Sequence, residues 1–189
     1  MGYVGMFDSG RQMKKEQDLG RAKNVLQDYL IRKLLFPKVY LDAEWNGREV
    51  DVLAIDREGT GDVHVAKIEY YRGDSIDTVL QKTIEGTDTF GEDHDSVTVL
   101  RSLPGHFLYI AVVHGTPGTC KFKPSGLNNP ELLAKDGVGR IGILYVDLGE
   151  DDPTVRVILR AERFRSSKEI VELADRYVAE HTANWELRE

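Results

Sequence analysis

The sequence has 189 residues, which is enough for one domain with its own hydrophobic core. Hydrophobic residues make up 41% and charged residues 30%, which is typical of a soluble globular protein and excludes general disorder. The formal net charge of −7 argues against a general nucleic-acid coat protein, because local basic clusters would have to overcome the repulsion of a polyanion.

Cysteine content and hydropathy indicate the cellular compartment of the protein. Cys120 is the single cysteine, which excludes an internal disulfide and a cysteine-rich zinc site. No apolar run approaches the ~20 residues that span a bilayer, and the N-terminus has no signal-peptide block. We therefore expect a cytoplasmic protein with no membrane partner, built as one domain over residues 1–189 with a flexible N-terminal segment over 1–14.

The first predicted element is an amphipathic helix from about Lys15 to Phe36, which Pro37 ends. Its apolar residues recur at three- and four-residue spacing and form one stripe: Leu19, Ala22, Leu26, Tyr29, Leu30 and Leu34.

A three-strand meander follows this helix. The run Lys38–Trp45 alternates apolar and polar residues, and the Asn46–Gly47 turn leads into a second strand, Arg48–Asp56. A Gly-rich turn then precedes the third strand, Val63–Tyr71.

The segment after the meander contains a second predicted helix, Ile76–Thr83. The apolar run His106–Val113 has strand length and is nearly continuous, so we expect it in the middle of the sheet with both faces buried. A Gly- and Pro-rich loop comes next, and a short helix is predicted near Pro130–Ala134.

The C-terminal part contains a hairpin and a helix. The strands Arg140–Leu148 and Thr154–Phe164 are joined by an acidic turn, and the last helix opens with a capping box, Ser166–Glu169. The predicted fold is therefore α/β: a mixed sheet with a helix, a three-strand meander, a helix, further strands and a C-terminal helix.

Four charged residues alternate along the second and third strands: Glu49, Asp51, Lys67 and Glu69. Side chains at i and i+2 of a strand share a face, so pairing of the two strands would bring the carboxylates and the ammonium together. Carboxylates hold Mg²⁺ or Mn²⁺, and a nearby lysine orients water and stabilises charge on a phosphate. The alternative is a solvated strand face carrying weak ion pairs.

The stretch "GREVDVLAIDREGTGDVHVAKIE" resembles the resolvase-type core of the PD-(D/E)xK superfamily, which has the restriction-endonuclease-like fold. In that core a Gly-Glu-apolar-Asp strand precedes a strand with an acid-x-Lys pair. The resemblance implies Mg²⁺ or Mn²⁺ as cofactor and phosphodiester hydrolysis as activity. By position, Asp51 is the central metal ligand, Lys67 the catalytic lysine and Glu49 an accessory acid.

The sequence departs from this pattern at two positions. Val65 stands where the acid two residues before the lysine is expected, and Glu69, the other candidate ligand, lies two residues after Lys67, about 7 Å along the strand. Lys23 stands where the first helix of such proteins often has a glutamate.

The departures leave two functions open. One is a nuclease-superfamily domain with a degenerate metal site that is non-catalytic or weakly active and recognises nucleic acid or a protein partner. The other is an active Mg²⁺- or Mn²⁺-dependent DNA or RNA endonuclease or exonuclease that uses Asp51, Glu69 and Lys67.

Other residues are candidates for contacts. Gln81 matches a glutamine that some members of the superfamily place near the site. The basic pairs Lys121–Lys123 and Arg156–Arg160 are candidate phosphate contacts, and alternation predicts that Arg156 and Arg160 share a strand face. Arginines on an edge strand also discourage edge-to-edge pairing. We expect His64 to pack in the core against a helix, and Trp185 to dock on the domain or to contribute to a homodimer.

Overall fold

The protein is described by a computed structural model over residues 5–56, 61–71, 96–114, 140–149, 153–164 and 167–186. The helices in these ranges are α1 (Gly5–Arg32), α2 (Ser96–Ser102) and α3 (Lys168–Glu186). The strands are β1 (Lys38–Trp45), β2 (Arg48–Ile55), β3 (Val63–Tyr71), β4 (Phe107–His114), β5 (Gly142–Asp147) and β6 (Thr154–Leu159). The helices predicted at 76–83 and near 130–134 lie outside the described residues.

The strands form one six-stranded sheet in sequential order, β1 to β6. The meander β1–β2–β3 and the hairpin β5–β6 are antiparallel, whereas β4 pairs in parallel with both β3 and β5. The apolar run that forms β4 is buried along both faces in its described interior, as expected for a central parallel strand. The predicted mixed α/β class, the meander and the C-terminal hairpin are confirmed.

Helices cover both faces of this sheet. The α1 face is the cluster that packs against α1, and its buried members include Ala22, Leu26, Leu30, Val52, Ala54, Ala66, Ile68, Ala111 and Leu144. The α3 face is the cluster that packs against α3 and α2, and its buried members include Leu53, Val63, Val65, Leu100, Ile110, Ile143, Ile170, Ala174 and Tyr177. The residues from Val52 to Ile55 are therefore buried, so this part of the meander has no solvated face.

The helix bounds differ from the prediction at both ends of the chain. Helix α1 begins at Gly5, so most of the segment 1–14 belongs to it, and it ends at Arg32, before the positive φ of 58° at Leu35. At the start of α3, the side chain of Ser167 accepts a hydrogen bond from the Glu169 amide, which makes Ser167 the capping residue. The predicted cap at Ser166 lies outside the described residues. Within the described residues, no helix combines the length and the apolar character needed to cross a membrane.

A kink in the first hairpin rearranges the two faces. Asp42 has a positive φ of 49°, a conformation that aspartate tolerates better than most residues. Before the kink, Leu41 lies on the α1 face, and after it Ala43 lies on the α3 face. The neighbouring strand changes face at the same level, because Val50 lies on the α3 face and Val52 on the α1 face. The regular alternation predicted for both strands is therefore broken at Asp42 and Asp51.

Candidate functional site

The site begins where β2 and β3 separate. Their antiparallel register runs from Ile55 opposite Val63 to Val52 opposite Ala66 and does not continue to the next pair, Asp51 and Lys67. Instead, the Asp51 side chain takes over the hydrogen bond, since its Oδ2 accepts from the backbone amide of Ile68 at 2.8 Å. A carboxylate thus lies in the opening between two strands, held by a main-chain donor.

Two lysines contact this carboxylate. The Lys67 Nζ atom on β3 is 3.5 Å from Asp51 Oδ2, and the Lys23 Nζ atom on α1 is 3.6 Å from Asp51 Oδ1. Lys23 also donates a hydrogen bond to Oδ1 of Asp42. We call these four residues, Lys23, Asp42, Asp51 and Lys67, the Asp51 cluster. Its two ammonium groups and two carboxylates balance to zero formal charge.

The cluster is partly shielded from water. The side chains of Asp51, Lys23 and Lys67 are 17%, 19% and 30% exposed, whereas that of Asp42 is 53% exposed. Burial by itself would lower the pKa of Lys23, but hydrogen bonds and charge attraction from Asp42 and Asp51 outweigh it, so the pKa is raised. Lys23 is therefore a cation beside Asp51 at neutral pH.

The two glutamates predicted to assist Asp51 lie in different surroundings. Glu49 is exposed and pairs across the hairpin with Glu44, which is also exposed. Glu69 is half-buried on β3, beside Val112 of β4. The described part of the chain contains no group of three or more His, Cys, Asp or Glu side chains that could hold a metal ion. The roles of Asp51, Glu49 and Glu69 as shared metal ligands stay a prediction.

Val65 occupies the position at which the resemblance expects an acid. It is fully buried on the α3 face, opposite Leu53 of β2 and beside Leu108 of β4. A carboxylate at this position would lie among aliphatic side chains, where its charged form is strongly disfavoured. The apolar residue is thus part of the core.

The predicted nucleic-acid contacts are only partly described. Gln81, Lys121 and Lys123 lie outside the described residues, while Arg156 and Arg160 are exposed at β6 and just after it. A register shift in the β5–β6 ladder leaves Ile158 without a partner residue in that pairing. Arg156 pairs with Tyr145, a member of the α3 face, whereas Arg160 lines a cavity beside α1. The two arginines therefore do not share a face, contrary to the expectation from alternation.

Two side-chain contacts at or near the Asp51 cluster were not predicted from the sequence. Asp42 has no motif of its own, and its only signal is a charged residue inside an otherwise alternating strand. Asp18 of α1 is buried and accepts a hydrogen bond from the Tyr70 hydroxyl of β3 at 3.0 Å, which ties the helix to the strand that carries Lys67. A long-range contact between a helix and a strand leaves no local pattern in a single sequence.

The histidines have structural surroundings. His64 packs edge-on against Phe36 and stacks on Phe107, and burial lowers its pKa to about 4, so it is a neutral ring among aromatic side chains, although its Nδ1 has no hydrogen-bond partner among the described residues. His106 is also buried, and its Nδ1 accepts a hydrogen bond from the Val63 amide.

Comparisons with known proteins leave the function open. No family model matches this sequence, and no curated protein matches it. A solved protein of unknown function from Silicibacter pomeroyi is similar with a TM-score of 0.44, 15% identity and 84% of each chain covered. SfsA from Pyrococcus furiosus, solved in complex with Ca²⁺, is similar with a TM-score of 0.34 and 16% identity, over 76% of this chain and 64% of SfsA. Both TM-scores are too low to support an inference about activity or ligands.

Proposed function

We propose that this chain is a nuclease-like domain in which an ion-pair cluster takes the place of a metal site, and that it acts as a non-catalytic recognition module. The observation that carries the proposal is the contact of two ammonium groups, those of Lys23 and Lys67, with the one carboxylate of Asp51. Both carboxylate oxygens are thus engaged by cations of the chain itself.

Electrostatics explain why such a carboxylate is a poor ligand for a divalent ion. Mg²⁺ requires near-octahedral oxygen ligands at about 2.0–2.1 Å. Two unit charges of like sign 4 Å apart repel by about 4 kcal/mol at an effective dielectric constant of 20. The repulsion energy between a divalent ion and an ammonium at the same distance is about twice as large. The donor set of the Asp51 cluster therefore does not fit Mg²⁺ or Mn²⁺ while both lysines stay in contact.

The proposal agrees with the departures from the PD-(D/E)xK pattern. Lys67 next to Asp51 is the arrangement that this superfamily uses, so one lysine is compatible with catalysis. Lys23 replaces an acid by a base, and Val65 replaces the second acid by an aliphatic residue. A site with two acids fewer and one cation more fits binding better than hydrolysis.

We propose nucleic acid as the partner. Arg156 and Arg160 support this choice singly, since they are exposed at and after β6 on different faces, and a net charge of −7 makes local positive charge necessary for contact with phosphates. Affinity should fall as salt rises, because bound phosphates release counterions. Fluorescence anisotropy with labelled single-stranded, duplex and branched DNA and RNA measures this. Binding that is absent at low salt would instead direct the search to a protein partner.

Catalysis is tested by incubating the wild-type protein and Asp51→Ala with the same substrates in Mn²⁺ and in EDTA. We expect no cleavage and no heat of Mn²⁺ binding in calorimetry. Cleavage by the wild type that Asp51→Ala abolishes would overturn the proposal and establish the active nuclease. Cleavage that survives the substitution would come from a contaminant or from another site.

A further inference from the structure

A cavity of about 280 Å³ lies between α1 and the sheet. At about 30 Å³ for each water molecule of the liquid, it has room for roughly nine waters or for an organic molecule of about 12 non-hydrogen atoms. The side chains that define its walls and rim are Tyr29, Leu30, His64, Tyr109, Val157 and Arg160. Neither Lys23 nor Lys67 is among its lining residues, so the cavity is separate from the Asp51 cluster, and Arg160 is the one residue it shares with the proposed phosphate contacts.

The rim of the cavity is open and carries a positive charge. Val157 is 45% exposed, and Arg160 is an exposed residue just after β6. Leu34, two residues after the end of α1, is 46% exposed and also lines the cavity. A ligand can therefore enter between the end of α1 and β6, where Arg160 adds a positive charge to the lining.

The interior is apolar apart from the imidazole of His64, one of its lining residues. Among the described residues, the buried Nδ1 of His64 has no hydrogen-bond partner. Its ring is fixed by Phe36 and Phe107 and lies nearly parallel to Tyr109, 10° between the planes.

The titratable groups inside are neutral. Burial lowers the pKa of His64 to about 4 and raises the pKa of Tyr109 to about 12. At neutral pH the imidazole therefore offers one nitrogen as donor and one as acceptor, and the phenol keeps its proton. Aromatic rings on the wall favour a flat, aromatic body over a flexible chain.

We propose that this cavity binds a small hydroxyaromatic carboxylate, with the carboxylate on Arg160 at the rim, the ring between α1 and Tyr109, and the hydroxyl on His64. Each of the three ligand features corresponds to one of these observations: charge at the rim, aromatic walls, and a neutral imidazole among the lining residues.

The experiment uses 3-(4-hydroxyphenyl)propionate as probe, with 3-phenylpropionate and 3-(4-hydroxyphenyl)propan-1-ol as analogues that lack the hydroxyl or the carboxylate. Isothermal titration of the full chain should give saturable one-site binding of the probe. We expect removal of the hydroxyl to weaken binding about 3- to 10-fold and removal of the carboxylate about 10- to 100-fold.

Variants of the protein test which residue contacts each of the two ligand groups. Arg160→Gln should bind 3-(4-hydroxyphenyl)propionate and 3-(4-hydroxyphenyl)propan-1-ol with equal affinity. His64→Phe should bind 3-(4-hydroxyphenyl)propionate and 3-phenylpropionate with equal affinity. Val157→Trp should block the mouth and abolish binding of all three compounds without disturbing the core, since Val157 is half-exposed. Arg140→Gln, an exposed arginine that does not line the cavity, should bind the probe like the wild type.

The outcomes are separable. Absence of saturable binding by the wild type at millimolar probe overturns the proposal, and so does binding that Val157→Trp leaves intact. If His64→Phe fails to fold, as judged by near-ultraviolet circular dichroism, Arg160→Gln and Val157→Trp still decide. A failure of this proposal leaves the nuclease-like assignment untouched, because the cleavage and Mn²⁺ assays involve the Asp51 cluster alone.

Discussion

The carboxylate of Asp51 replaces a main-chain carbonyl in the sheet, because its Oδ2 accepts the hydrogen bond of the Ile68 amide at 2.8 Å where β2 leaves β3. The same oxygen lies 3.5 Å from Lys67 Nζ. One side chain thus continues the hydrogen bonding of the sheet and anchors a charged cluster. Substitutions at this residue should affect stability as well as any binding function.

Asp51→Ala should lower the free energy of unfolding by about 2–4 kcal/mol, because it leaves the Ile68 amide without its acceptor and two partly buried ammonium groups without their shared anion. Asp51→Asn should lose less, about half as much, since an amide oxygen can still accept from Ile68. Urea denaturation measures both. Glu49→Ala, at an exposed residue of the same strand, should stay within about 0.5 kcal/mol of the wild type. Equal values for all three variants would contradict the role of Asp51 in the sheet.

Lys23→Glu tests whether a lysine stands where a metal ligand belongs. The substitution brings a third carboxylate to Asp42 and Asp51, so we expect a lower melting temperature in EDTA and recovery on addition of Mn²⁺. Stabilisation by a ligand grows as RT ln(1 + [L]/Kd), so 100-fold excess over Kd adds about 2.7 kcal/mol. The wild type and Lys33→Glu, the same charge change at an exposed position just after α1, should not respond to Mn²⁺. Thermal melts with and without Mn²⁺ provide the measurement.

An absence of any Mn²⁺ response in Lys23→Glu would show that Asp42 and Asp51 cannot converge on one ion. The degenerate-site explanation of Lys23 would then fail, although the ion pairs themselves would remain.

His64 should make stability depend on pH. Burial lowers its folded-state pKa to about 4, below the usual value of 6.5, so the unfolded chain binds the proton more tightly. Stability from the neutral ring is complete above pH 6.5 and falls as the pH drops towards 4, by up to about 3 kcal/mol in total. Burial and Arg163 also lower the pKa of His106, which adds a loss in the same direction.

Denaturation midpoints of the wild type and His64→Phe, measured from pH 7 to pH 5, check this dependence. Phenylalanine keeps the aromatic contacts with Phe36 and Phe107 but does not titrate, so the slope should become smaller, with the contribution of His106 left. A variant without His64 that keeps the full slope would show that the acid sensitivity lies elsewhere.

Gly142 and Gly20 should respond in opposite ways to alanine. A Cβ at Gly142 would lie 2.5 Å from Tyr109 Cδ1 and 2.7 Å from the Ala161 backbone nitrogen, so Gly142→Ala should cost about 1–3 kcal/mol. Gly20 is an exposed residue inside α1 with nothing within 4 Å of its would-be Cβ, and Gly20→Ala should add about 0.5–1 kcal/mol. Thermal unfolding of the two variants compares them directly. A stabilised Gly142→Ala would contradict the packing of β5 against Tyr109.

The sequence by itself determined the order of the elements and the composition of the core. Alternation and the Asn46–Gly47 turn predicted the meander, and the confirmed positive φ values of 53° and 73° at these two residues are those the turn requires. The continuous apolar run predicted the central strand β4. These features are local, since period and turn chemistry act within a few residues of the chain.

Tertiary structure alone decided the faces of the meander and the partners of Asp51. Alternation placed Glu49 and Asp51 on one face, but the left-handed backbone at Asp42 and the separation of β2 from β3 break that alternation between Val50 and Val52. The approach of Lys23 to Asp51 depends on how α1 packs across the sheet, a contact between distant parts of the chain. Such contacts arise from the summed packing of the whole domain, and no local pattern of residues encodes them.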